Sequence, residues 1–143
     1  NKGFTLIELL VVIAIIGILS TLAVVSLNNS REKSRDAKRV SDIKQVQTAL
    51  ELYFVDQNAY PAGAGLVLSS ASALCLDEDG FVAACDVGGT TYMGQVPSNP
   101  TPGGTDYAYT QTQSGVSYAI TFTLEKQTGS LASGAHTASP SGI

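Results

Sequence analysis

Hydrophobic and polar positions divide the chain into three regimes. From Leu9 to Ser30 no residue is charged, and most are Leu, Val, Ile or Ala. As a helix rising about 1.5 Å per residue, this run is roughly 33 Å long, enough to cross a ~30 Å hydrocarbon layer. A secretory signal peptide has a shorter apolar region, about 7–15 residues, closed by a small-residue cleavage site. No such stop follows here. Ser26-Leu27-Asn28-Asn29-Ser30 leads straight into a mixed-charge stretch from Arg31 to Lys44. Through and beyond that stretch Ala37, Val40, Ile43, Val46, Leu50 and Tyr53 recur every three or four residues, the stripe of an amphipathic helix. The first proline is Pro61. The pattern therefore predicts one helix over about 4–54, apolar all round in its first half and one-faced in its second. At roughly 75 Å such a rod exceeds a bilayer and asks for neighbours.

After Pro61 the helical period stops. Residues 62–104 are rich in Gly, Ala, Ser and Pro, with Leu66-Val67-Leu68 and Ala71 to Leu76 as short helix or strand pieces. Val96 to Gly104 is turn-rich punctuation. Then Tyr107 and Tyr109 alternate with polar or small neighbours, as do Tyr118, Ile120, Phe122 and Leu124, and Gln113-Ser114-Gly115 separates the two runs. They read as an antiparallel hairpin, with a third short strand at Ser130-Leu131-Ala132 and a flexible small-residue tail after it. The expected fold class is α+β: the long helix packs its Val46, Leu50 and Tyr53 stripe on a small antiparallel sheet head.

Charge sharpens the division. Residues 1–60 hold seven of the eight Lys and Arg against six acids, giving +1; residues 61–143 hold one Lys and six acids, giving −5. An acidic head excludes a whole-chain nucleic-acid binder. The charged middle (Arg31, Lys33, Arg35, Lys38 and Arg39 among Glu32, Asp36 and Asp42) reads as a solvated helix face with Arg39 and Asp42 paired, because acids interleave with the bases and no aromatic lies between them. Counted literally, the positive-inside rule places this flank in the cytoplasm. Cys75 and Cys85 argue the opposite. In a chain with a membrane-spanning export signal, two cysteines that bracket nine residues read as a disulfide, which puts the head in an oxidising compartment. A zinc site is the alternative, and it lacks ligands because His136, read as a surface side chain, is the sole histidine. Asp77-Glu78-Asp79-Gly80 invites calcium, but the spacing is not that of an EF-hand loop, and a solvated acidic turn is the simpler reading. No nucleophile–histidine–carboxylate set or phosphate loop can be assembled, so neither catalysis nor a cofactor is expected.

One carboxylate, Glu8, breaks the apolar start. It is either a functional intramembrane group or an anion in the first helical turn, favoured there by the macrodipole. Its neighbours decide. Lys2-Gly3 followed by Phe4-Thr5-Leu6-Ile7-Glu8-Leu9-Leu10-Val11-Val12-Ile13-Ala14-Ile15-Ile16-Gly17-Ile18-Leu19 resembles the processing and assembly segment of type IV pilins and pseudopilins. Asp42-Ile43, Ala49-Leu50-Glu51-Leu52-Tyr53 and Asp56-Gln57-Asn58-Ala59-Tyr60-Pro61 are similar to the helix end and exit turn of short pilins and major pseudopilins. The resemblance implies that a prepilin peptidase cuts after Gly3 and methylates the new amine of Phe4. It also implies that Glu8 pairs with the terminal amine of an adjacent subunit during assembly. Many relatives carry a kinking proline where this chain has Val25, so helix unwinding on assembly is expected over Gly17–Val25, with Gly17 the weak point and Ser20 and Thr21 helping to satisfy freed carbonyls.

On this reading residues 1–3 are a leader remnant, 4–30 the membrane-spanning and filament-core helix, 31–57 its amphipathic continuation, and 58–143 an extracytoplasmic head with loop, disulfide, sheet and tail. The implied function is a structural subunit held in the cytoplasmic membrane, then extracted by a pilus assembly machine into an extracellular homo-oligomeric filament. Surfaces or DNA are the further partners the resemblance implies. A pseudopilin of a type II secretion or competence machine shares the same N-terminal chemistry and is the first alternative. The second is a single-pass anchored binding domain that never polymerises.

Overall fold

The computed structural model describes residues 3–143; Asn1 and Lys2, two of the three expected leader residues, lie outside them. The chain is α+β, as its pattern predicts. Helix α1 runs unbroken over Leu6–Gln57, 52 residues, with Thr5 as its N-cap. It stops because Asn58 takes a left-handed conformation (φ 55°) and donates its amide to the Phe54 carbonyl at 2.8 Å. The exit turn is then tied back: the Tyr60 hydroxyl donates to Glu51 at 2.9 Å, and Tyr109 donates to the Pro61 carbonyl at 2.7 Å.

Seven short strands follow: β1 (Leu66–Val67), β2 (Cys75–Asp77), β3 (Gly80–Val82), β4 (Thr91–Met93), β5 (Ala108–Thr112), β6 (Ser117–Leu124) and β7 (Gly134–Ala138). They form two antiparallel sheets, ordered β1-β5-β6-β7 and β3-β2-β4. The expected hairpin is β5–β6, with Tyr109 opposite Ile120 and a 3-10 turn at Gln113–Gly115. Its alternation is realised: Tyr118, Ile120, Phe122 and Leu124 are all buried against Ile43, Val46, Leu50 and Tyr53 of the helix.

The third strand departs from expectation. Ser130-Leu131-Ala132 is not a strand; Thr128 and Leu131 instead close a tight turn around Gly129 (φ +60°). The sheet is completed one step later by β7, inside the stretch expected to be a flexible tail, with Ala138 buried opposite Ile120 and the His136 ring tilted against Phe122 at 5.6 Å. A run of Gly, Ala, His and Thr has little strand signal of its own, and pairing with β6 supplies what propensity does not.

The charged middle of the helix departs further. Its face is not wholly solvated. Asp36 and Arg39 are fully buried, whereas Ala37 is exposed and Val40 half-buried. Arg39 does not pair with Asp42. Its guanidinium donates to Asp36 (2.7 Å), Glu125 (2.6 Å), Asn99 Oδ1 (2.7 Å) and the carbonyls of Pro100 and Gly103 (2.8 and 2.6 Å). Arg35 holds the same Glu125 bidentately at 2.8 and 2.6 Å, and the second oxygen of Asp36 accepts the Lys126 amide. Asp42 takes Lys38 and the Tyr107 hydroxyl. This cluster clamps the Pro-rich loop and the end of β6 onto the helix. Gly104 (φ +70°) lies so close to Arg39 that a Cβ there would sit 2.8 Å from the guanidinium.

Cys75 and Cys85 form the expected disulfide, with Cα atoms 5.5 Å apart. It closes the β2–β3 hairpin into a loop that packs over the last turns of α1. In the chain-entropy description a loop of this length contributes about 2–3 kcal/mol. Replacing both cysteines by serine should therefore lower head stability by about that amount, read as an earlier denaturant midpoint of the detergent-solubilised chain; an unchanged midpoint contradicts it.

The Glu125 cluster adds a pH dependence. Hydrogen bonds from Arg35, then from Arg39, hold the Glu125 carboxyl down at about 2. Because its folded value lies below the unfolded one, the stabilisation is complete above the ordinary carboxylate range and is lost as pH falls towards 2. Head stability should decline through this window, and Glu125→Gln should flatten the decline; identical pH profiles for the two chains would remove the cluster as its cause.

Candidate assembly site

The predicted processing segment lies where the chain enters the helix. Gly3, Phe4 and Thr5 are non-helical and exposed, and Phe4 is 86% exposed. A peptide bond in extended, accessible backbone suits a protease, which cannot reach a bond inside a hydrogen-bonded helix. The Gly3–Phe4 bond is non-helical and exposed, just ahead of the Thr5 cap and of the helix that begins at Leu6.

Glu8 is held by a device that the sequence reading passed over. Thr5 caps the helix by accepting the Glu8 amide at 3.4 Å, while the Thr5 amide and hydroxyl both donate to Glu8 Oε2, at 2.8 and 2.6 Å. This is a reciprocal capping box, and its Thr-x-x-Glu signature stands in the sequence at 5–8. Two consequences follow. The carboxylate is bent back towards the chain start and favoured there by the helix dipole. Its other oxygen, Oε1, has no hydrogen-bond partner among the described residues, so it is free to accept from outside the chain.

From Leu6 to Asn29 every helical side chain is exposed, and the helix is long and apolar enough to cross a membrane. Leu, Ile and Val at all azimuths leave no polar face for water. The helix is continuous through Gly17–Val25, where the Thr21 hydroxyl already donates to the Ile18 carbonyl at 2.8 Å. Gly17 has open space around its Cα.

The acidic turn expected at Asp77–Gly80 is partly internal. Asp77 is buried and accepts the backbone amides of Asp79 and Asp86, at 3.0 and 3.2 Å, which occupies both of its oxygens. Its carboxylate thus organises the loop rather than facing outwards. His136, half-buried beside Phe122, offers Nε2 to the Ala132 carbonyl at 2.8 Å.

The site thus brings together an exposed Gly3–Phe4 bond, a capped Glu8 and a helix half that is apolar, exposed and, among the described residues, without a partner, long enough to anchor the chain in a membrane. The prokaryotic N-terminal methylation motif matches residues 1–24. Over 62 residues the chain is 46% identical to type II secretion system core protein G of Pectobacterium carotovorum subsp. carotovorum, a match covering 43% of this chain and 40% of the relative. It is 49% identical over 61 residues to the protein of the same name from Aeromonas hydrophila, covering 43% of each. With that from Escherichia coli (strain K12) it shares 46% over 61 residues, covering 43% of this chain and 42% of the relative. The chain thus spans about two-fifths of the length of the curated relatives it matches. No solved structure matches it. The resemblance to the type IV pilin and pseudopilin family stands on this motif and this homology.

Proposed function

We propose that this chain is a pseudopilin-type structural subunit that polymerises through its N-terminal helix within a secretion-type machine. The homology to type II secretion core protein G supports this reading over an extracellular type IV pilus. The observation that carries it is an apolar helical segment with no partner among the described residues, opened by a glutamate whose second oxygen no described residue engages. Before assembly the segment lies in the cytoplasmic membrane with the disulfide-bonded head outside the cytoplasm. Cleavage between Gly3 and Phe4 frees an amine, which is methylated, and the Glu8 carboxylate of a neighbour accepts it. A carboxylate moved into an apolar assembly needs such a partner, since a stranded buried charge costs about 3–5 kcal/mol. The role is structural rather than catalytic. Its partners are further copies, the prepilin peptidase and the assembly machinery. DNA is disfavoured as a partner of the head, whose charge of −5 repels phosphates.

Glu8→Ala should leave membrane insertion intact and abolish the ladder of cross-linked oligomers formed by the wild-type chain. Assembled wild-type subunits should have the mass of a chain starting at methylated Phe4. A normal ladder from the variant, or assembled subunits beginning elsewhere, contradicts the mechanism. Long sheared extracellular fibres built of this chain would restore the pilus reading.

Assembly also carries a conformational expectation. Gly17 weakens the helix by about 1 kcal/mol relative to Ala, and Ser20 and Thr21 can satisfy carbonyls released nearby. A break in helical density within Gly17–Val25 is expected in electron microscopy of the assembled form; continuous helix there would contradict it.

A further inference from the structure

The fold sorts the charges that the sequence interleaves. Five ion pairs are formed, and all lie at the base of the head: Arg35–Glu125, Lys38–Asp42, Arg39–Asp36, Arg39–Glu125 and Lys126–Glu32. Among the described residues, Arg31, Lys33 and Lys44 take part in none, and all three are exposed. At 3.6 residues per turn Lys33 and Lys44 fall within about 20° of each other, roughly 16 Å apart along one edge of the helix. Of the acids outside ion pairs, Glu51, Asp56 and Asp106 stand apart from one another, whereas Glu78, Asp79 and Asp86 are exposed together at the disulfide loop. That loop's sheet is seated beside Tyr53 and Asp56, through Tyr53 against Tyr92 at 5.4 Å and a Tyr92 hydroxyl bond to Asp56 at 2.9 Å. Tyr53 and Asp56 are roughly 120–180° round the helix from Lys44. They stand roughly 14–18 Å above it and 30–35 Å above Lys33.

We propose that these edges are the two halves of one interface: Lys33 and Lys44 of one copy dock on the acidic loop, Glu78, Asp79 and Asp86, of a second copy staggered along the helix axis. The inference rests on the reading that the chain polymerises, and it assigns the contact that sets lateral register. Complementary patches at different azimuths and heights on one molecule cannot satisfy each other within a two-fold dimer. They make a heterologous contact, which propagates into an open helical assembly. Anionic lipid is the competing occupant for Lys33. Lys44, however, lies roughly 20 Å beyond the end of the apolar run at Ser30, well past a headgroup layer of about 5–8 Å.

The test uses the full chain in membranes, with Lys33→Glu/Lys44→Glu, Asp79→Lys/Asp86→Lys and the four substitutions together. All four side chains are exposed, so membrane insertion and the intact disulfide check that each variant folds. Each double variant should reduce the cross-linked assembled fraction about tenfold, and the combined variant should restore it to within about twofold. Raising salt to about 1 M, where screening acts over roughly 3 Å, should weaken wild-type assembly in the same direction. The contact is overturned if the lysine variant assembles like wild type, or if the combined variant fails to recover. It is equally overturned if only the lysine variant is impaired and its loss follows the anionic-lipid content of the membrane. A wild-type chain that forms no oligomers overturns both this contact and the polymerisation reading, whereas loss in Glu8→Ala alone leaves polymerisation standing and rejects the contact.

Discussion

Everything in this molecule depends on one helix having to satisfy two environments without a break. A helix meets its own backbone hydrogen bonds, so its first half can pass from lipid into a protein interior without exposing an unpaired amide or carbonyl. Side chains then decide where each half rests. Leu6 to Asn29 present an apolar surface at every azimuth, and nothing among the described residues covers it. Ile43, Val46, Leu50 and Tyr53 present one face, and the sheets are built onto it. Among the described residues this is the core the head is built on. The head is therefore carried by the rod rather than joined to it by a linker, and a displacement of Glu8 is transmitted directly to the head.

The junction between the two halves is polar where a soluble domain would be apolar. Above it the stripe is hydrophobic; at Asp36 and Arg39 it becomes a buried ion cluster that reaches Glu125 and the loop carbonyls of Pro100 and Gly103. Such a cluster adds little net stability over a hydrophobic replacement, because desolvation offsets most of the attraction. Its effect is geometric. The Arg39 guanidinium satisfies two carboxylates, an amide oxygen and two carbonyls only with the loop in a single position. The lower edge of the head is thereby fixed a turn or two above the apolar run.

The strongly periodic elements were legible in the chain itself: the long helix, the Tyr109–Ile120 hairpin and its packing on Val46, Leu50 and Tyr53. What could not be read depended on distance. Arg39 looks like a surface charge because the nearest acids in sequence are Glu32, Asp36 and Asp42, whereas Glu125 arrives from 86 residues away. The clue was its phase: Asp36, Arg39, Ile43, Val46, Leu50 and Tyr53 continue one three-and-four spacing, so the buried face extends into the charged stretch. Strand β7 was hidden for a different reason. Gly134-Ala135-His136-Thr137-Ala138 carries almost no branched or aromatic signal, and only the free edge of β6 recruits it. At the N-terminus Thr5-x-x-Glu8 is a legible capping-box signature, because both partners lie within one helical turn.

Two signals within the sequence point the head in opposite directions. A basic flank at the end of a membrane helix argues for a cytoplasmic head, whereas a disulfide belongs in an oxidising compartment. Arg35, Lys38 and Arg39 are engaged by Glu125, Asp42 and Asp36 once the head folds, so half of the six bases between Arg31 and Lys44 are structural. A charge count along the unfolded flank therefore overstates the cation excess of the native chain. What remains is a separation by height: the capped Glu8 at the lower end, Arg31, Lys33 and Lys44 outside ion pairs at mid-level, and the Glu78, Asp79 and Asp86 cluster near the top. A gradient with opposite signs at separated levels is unsatisfied in a monomer and is matched by a staggered copy of itself, which gives the apolar rod and the acidic head a common reason to assemble.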